Sequence, residues 1–150
     1  MIESFVLEVL RLCPIHMTGT FGRAKKDFVM ESKTGKYQVY EGELITDFVF
    51  GMHRDPSEFE EPEKFKLTRD KQKVKENLVT FGGPWLQEPT TKNRKCPGQN
   101  QTFIGLKLFV IHLTRCTFDV ASDLTYTGRN LARPHGTDLP VVMNKVVYEK

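Results

Sequence analysis

Cysteine is scarce in this chain: Cys13, Cys96 and Cys116 are the only three among 150 residues, and their spacing makes no disulfide framework. A disulfide-stapled scaffold is excluded, and a reducing compartment is expected. No Cys-x-x-Cys occurs. A zinc site drawn from Cys96, His112 and Cys116 would have only the helical spacing of the last two behind it, and no fourth ligand. Long apolar runs are also lacking. No stretch reaches the roughly 20 residues needed to cross a bilayer, and no apolar signal-peptide core opens the chain. Charge of one sign is missing too. The net charge is +3, and the basic residues are dispersed among acids, so nucleic-acid binding is not expected. There is no internal repeat and no low-complexity segment.

What remains suits a packed α+β chain. Hydrophobic residues make up 39% and aromatics 11%, enough for a core. Residues 4–12 read as a helix that Pro14 ends, with Phe5, Val6, Val9 and Leu12 near helical spacing. Glu8 and Arg11 share a face of it, and such a pair by itself reads as a solvated surface pair. Residues 28–30, 37–40 and 44–50 read as strands of small ribbons, broken at Gly35 and Gly42. A short helix is expected over 71–76. Between 81 and 97, two glycines and three prolines predict a long loop, and a loop of that length is functional or disordered. Residues 100–115 form the best helix pattern, apolar almost all round and expected to be buried on most sides. A terminal strand or hairpin is expected over 118–126, and the tail from about 127 to 150 is weakly patterned. Cys13 and Cys116 read as buried, inert thiols. His16, His53 and His135 have no partner pattern and are expected in structural or surface roles. Lys92, Arg94 and Lys95 read as a solvated charge run.

The loop ends in Asn93-Arg94-Lys95-Cys96-Pro97-Gly98. An arginine stands two residues before the sulfur, a glycine two after it, and a helix follows at once. A glycine there lets backbone approach the sulfur, and a helix N-terminus aimed at a thiolate stabilises its charge. Taken alone the pattern describes an ordinary loop cysteine. Context changes that reading. Glu8-x-x-Arg11, then His53-Arg54-Asp55-Pro56, then Phe65 with Arg69 four residues on, then the Cys96 loop, follow the order of the C-terminal third of the cytochrome P450 superfamily, which this chain resembles.

The resemblance narrows further. Ordinary members carry Phe seven residues and Gly four residues before the cysteine, where this chain has Pro89 and Lys92. Its loop instead has Gly83-Pro84, Pro89-Thr90 and Asn93-Arg94-x-Cys96-x-Gly98. That enlarged loop is similar to the fatty-acid hydroperoxide-metabolising subfamily of allene oxide synthases, hydroperoxide lyases, divinyl ether synthases and epoxyalcohol synthases. The segment from Gly22 to Ser32 (GRAKKDFVMES) is a second match to it.

The resemblance implies a partial P450 fold, the proximal portion of one haem-thiolate domain spanning 1–150. It implies haem b (iron protoporphyrin IX) with Cys96 as metal ligand, and Arg94, Lys92, Asn93 and Gly98 around the cofactor, Arg94 facing a propionate. Glu8, Arg11 and Arg69 become a buried structural triad, although Leu67-Thr68-Arg69-Asp70 departs from the family's Pro-Glu-Arg-Phe. Ile15, Thr18, Phe21 and Leu124 become substrate-cavity lining. The implied reaction is homolysis of a hydroperoxide O–O bond and rearrangement or fragmentation of the resulting alkoxyl radical, with neither O₂ nor a reductase. A conventional O₂-dependent monooxygenase and a non-catalytic truncated fragment are the alternatives. The chain is expected to be a fragment, inactive by itself, from an intracellular protein that is soluble or peripherally associated with a membrane.

Overall fold

In a computed structural model, residues 1–16, 21–93, 95–120 and 143–148 are described. The chain divides into two compact units, Met1–Lys107 and Leu108–Lys150.

The first unit is organised on α1 (Ile2–Leu12), which buries Val6, Leu7 and Leu10 together with Glu8 and Arg11. Its last backbone bond runs from Cys13 N–H to the Val9 carbonyl at 2.8 Å. Pro14 has no N–H to continue it. Val49, Phe59, Val74 and Leu78 complete this core. Two antiparallel ribbons follow α1: β1 (Phe21–Arg23) pairs with β4 (Leu44–Thr46), and β2 (Phe28–Ser32) pairs with β3 (Gly35–Val39). The turn between β3 and β4 needs Gly42 at φ 87°, a conformation costly for a residue with a Cβ. Two short helices come next, α2 (Val49–Met52) and α3 (Lys71–Asn77). The Asp70 carboxylate caps α3 by accepting the Lys73 N–H at 2.8 Å. Lys75 of α3 reaches Glu3 of α1 at 2.6 Å.

The start of α4 (Gln99–Leu113) also belongs to this unit. Phe103 packs edge-on against Trp85 at 4.8 Å between centroids, and Trp85 against Phe81 at 5.5 Å. This aromatic stack is a second small core, built by the 81–97 loop and the start of α4. In the second unit, β5 (Cys116–Val120) pairs antiparallel with β6 (Met143–Tyr148), with an irregularity between Thr117 and Asp119. Arg115 lies over the Tyr148 ring at 5.3 Å.

Several expectations are corrected here. The strand expected over 44–50 stops at Thr46, and its apolar second half turns into α2. β1 and β6 were not anticipated: one is three residues long, the other lies in the weakly patterned tail. Residues 121–126 of the expected hairpin lie outside the described residues. The helix expected to be buried on most sides buries only Gln99 and Phe103, and leaves Ile104, Leu108, Phe109 and Ile111 exposed. A helix apolar on every side cannot be covered from one side alone. Cys13 is exposed and Cys116 half-buried, not buried thiols. Among the described residues no three His, Cys, Asp or Glu side chains form a metal-holding group. Among them, too, no helix is long and apolar enough to cross a membrane.

Candidate functional site

Two constructions meet the residues singled out by sequence. The first is a polar knot in the core. Arg11 is 0% exposed, and each of its five N–H donors has a use. Nε and Nη2 bond the two Glu8 oxygens at 2.7 and 2.9 Å, a bidentate fork. Nη1 donates to the carbonyls of His53 (2.9 Å) and Pro62 (2.6 Å), and Nη2 also to that of Lys64 (3.1 Å). Glu8 Oε2 additionally accepts the Lys66 N–H at 3.0 Å and Arg69 Nε at 3.3 Å. Arg69 then binds the carbonyls of Glu60, Glu61 and Lys64. Both guanidiniums lie near the face of Phe59, at 5.1 and 6.0 Å. Burial acts to raise the Glu8 pKa. The bonds from Arg11 and the Lys66 N–H, with the two arginine charges, outweigh it and hold the carboxyl below its ordinary value. The structure therefore brings Glu8, Arg11 and Arg69 together, and the surface-pair reading of Glu8 and Arg11 fails.

His53 completes the knot without having been anticipated in it. It is 0% exposed; Nδ1–H donates to the Arg11 carbonyl at 3.2 Å, and Nε2 accepts the Val79 N–H at 3.0 Å. Burial pushes its pKa down to about 4, against the bond to Arg11, and so the ring is neutral. Next to it Arg54 ties the end of α1 through the Leu12 carbonyl at 2.7 Å and lies over the Phe50 ring at 3.6 Å. His53 and Arg54 thus clamp α1 to the segment that leads into the cysteine loop.

The second construction is that loop. Its shape comes from internal hydrogen bonds in place of regular structure. Asn93 is the bracket: its Oδ1 accepts the N–H of Thr90 (2.9 Å) and of Lys95 (3.2 Å), and its Nδ2 donates to the Glu88 carbonyl at 2.7 Å. The Cys96 N–H donates to the Phe81 carbonyl at 2.9 Å, and the Gln99 N–H to the Cys96 carbonyl at 3.4 Å as α4 begins. Cys96 is exposed. A Cβ built on Gly98 would stand 3.6 Å from Cys96 Sγ, so this backbone passes close behind the sulfur. Lys92 is exposed. Arg94 lies outside the described residues, as do Thr18 and Leu124. Ile15 and Phe21 are both exposed, 63% and 75%.

Lys95 corrects the solvated-charge reading. It is 3% exposed, and its ammonium donates to the carbonyls of Pro84 (2.7 Å), Trp85 (2.6 Å) and Gln87. Burial lowers its pKa, with Glu88 acting the other way. Gln99 Nε2 shares the Trp85 carbonyl at 3.1 Å, while Gln99 Oε1 and Thr80 Oγ1 are buried without a partner. Chemically the loop presents one thiol outward, with its neighbour turned in.

A family model described as Cytochrome P450 matches residues 1–122. An allene oxide synthase, chloroplastic, of Linum usitatissimum is 31% identical over 136 residues, 87% of this chain and 25% of that protein. A fatty acid hydroperoxide lyase, chloroplastic, of Solanum lycopersicum is 35% identical, covering 75% of this chain and 24% of that one. Divinyl ether synthase CYP74M3 of Selaginella moellendorffii is 33% identical over 82% of this chain and 26% of its own. The chain thus spans about a quarter of the length of these relatives. Among solved structures, CYP105P1 in complex with filipin I superposes with a TM-score of 0.66 at 24% identity, covering 82% of this chain and 28% of that one. Cytochrome P450EX alpha with myristic acid gives 0.61 at 24% identity over 82% and 28%. At that identity the likeness is one of fold.

Proposed function

The chain belongs to the cytochrome P450 family, and from that premise we propose that it is the proximal part of a haem-thiolate enzyme that rearranges or cleaves polyunsaturated fatty-acid hydroperoxides without O₂ or a reductase. The supporting observation is the triple match to an allene oxide synthase, a fatty acid hydroperoxide lyase and a divinyl ether synthase, each above 30% identity over three quarters or more of the chain.

Cys96 is the residue assigned to the iron of haem b. The local structure fits that group: the thiol is exposed, the Gly98 backbone lies close behind it, and the Cys96 N–H is fixed by the Phe81 carbonyl. The haem, when bound, supplies the O–O cleavage chemistry, with the thiolate as electron donor. This chain's residues supply position. The Asn93 bracket and the aromatic stack hold the loop, and the Glu8–Arg11–Arg69 knot ties α1 to the segment 53–69. Lys92 and Arg94, both cationic, are assigned to the anionic propionates. Ile15 and Phe21 offer apolar surface for a lipid chain.

The test is incubation of the whole protein with a polyunsaturated fatty-acid hydroperoxide, without reductant. Consumption of the hydroperoxide is expected. No consumption, with turnover appearing only on addition of O₂ and a reductase, would favour a monooxygenase and overturn this reading.

A further inference from the structure

Lys95 serves the backbone of the enlarged loop. Among its described residues the segment 81–97 has no strand or helix. In its Pro84–Gln87 turn Trp85 is buried in the aromatic stack while Leu86 is exposed, and the turn closes on one bond of its own, Gln87 N–H to the Pro84 carbonyl at 3.1 Å. The Trp85 carbonyl is buried and needs a donor. Lys95 binds the carbonyls of Pro84, Trp85 and Gln87, the first of which also accepts the Gln87 N–H, and Gln99 shares that of Trp85. Three ammonium protons meet three carbonyls, which satisfies the lysine completely.

The lysine's own backbone is fixed as well, since its N–H bonds Asn93 Oδ1 at 3.2 Å. Anchored at both ends, Lys95 leaves the next residue little freedom. Lys95 is buried and Cys96 exposed.

We propose that Lys95 is a positioning residue for the Cys96 sulfur, its ammonium bolting the Pro84–Gln87 turn of the enlarged loop to the segment that carries the ligand. The inference rests on the reading of Cys96 as the haem ligand. It adds that a buried lysine, working through backbone carbonyls, sets where that ligand stands. Arginine retains the charge and offers more donors, though in a planar fork that does not converge as an ammonium does. Methionine matches the lysine chain as far as the ε carbon and has no donor.

The experiment compares the whole, haem-loaded protein as wild type, Lys95→Met and Lys95→Arg. Two quantities are read: the share of ferrous protein showing the red-shifted carbon monoxide band of thiolate ligation, and amide hydrogen exchange across the Pro84–Gln87 turn. In Lys95→Met, exchange should rise about tenfold or more, since hydrogen bonds from a charged donor are lost. The ratio of thiolate-free to thiolate-bound species should rise by a similar factor. Lys95→Arg should fall between the two on both readouts. A Lys95→Met protein with the wild-type band and wild-type exchange overturns the inference alone. So does an arginine variant no better than methionine. A wild-type protein without any thiolate band overturns the ligand reading, and this inference with it.

Discussion

Replacing His53 by glutamine gives the protein a measurable change in its response to acid. The His53 ring is fully buried and neutral, donating to the Arg11 carbonyl and accepting from the Val79 N–H. Its pKa falls from 6.5 in the unfolded chain to about 4 in the fold. Between those values the unfolded state binds a proton that the folded state refuses, so stability rises with pH across the window and is lost as pH falls. One proton is worth about 1.4 kcal/mol per pH unit, which makes the loss about 2.5 kcal/mol between about pH 7.5 and about pH 4.5. Glu8 acts in a different window. Its carboxyl is held below 4.5, so its contribution is intact above that value and disappears at lower pH as the folded group protonates. His53→Gln can keep one donor and one acceptor in place but does not titrate. Urea unfolding followed by circular dichroism, at several pH values, gives both slopes. The difference between wild type and variant should be about 2.5 kcal/mol over the window. Parallel curves would show that His53 is not the buried neutral clamp described here.

Arg11→Lys keeps a charge but has three donors for what five now serve, and should cost about 3–5 kcal/mol, the range for breaking a buried pair. Urea midpoints check it, and a loss below about 1 kcal/mol would contradict the knot's geometry. At Gly98, an alanine Cβ would meet Cys96 Sγ at 3.6 Å, an ordinary contact. Gly98→Ala should therefore keep the thiolate band, while Gly98→Val, whose methyls extend from that Cβ, should diminish it; equal bands would mean that the backbone does not crowd the sulfur.

Glu8, Arg11 and Arg69 were legible because charged side chains that serve one another leave a spacing in sequence, three residues for the helical pair and a family order for the third. The depth of their burial was not legible, since a lone Glu-x-x-Arg looks the same on any helix. His53 was expected in a structural or surface role but without its partners, and Lys95 was read as solvated, for a common reason: the atoms they bind are backbone, and a carbonyl or N–H carries no signature of residue type. Length and apolarity marked α4 correctly, but burial depends on what packs against it. Val49 and Phe50 of α2 were read as the end of a strand because so short an apolar run does not separate the two periods. The ribbon made by β2 and β3 was readable from its β-prone residues on either side of a turn. The fit of the cysteine loop came from its unusual insertion more than from Cys96 itself, a residue type common in loops of no consequence.

The claim everything else depends on is that Cys96 supplies the sulfur bound to haem iron. Cys96→Ser in the whole protein, reduced and exposed to carbon monoxide, tests it directly. The account predicts that the red-shifted thiolate band of the wild type disappears in this variant while Cys13→Ser and Cys116→Ser retain it. A Cys96→Ser protein that keeps the band would contradict the account and place the ligand elsewhere.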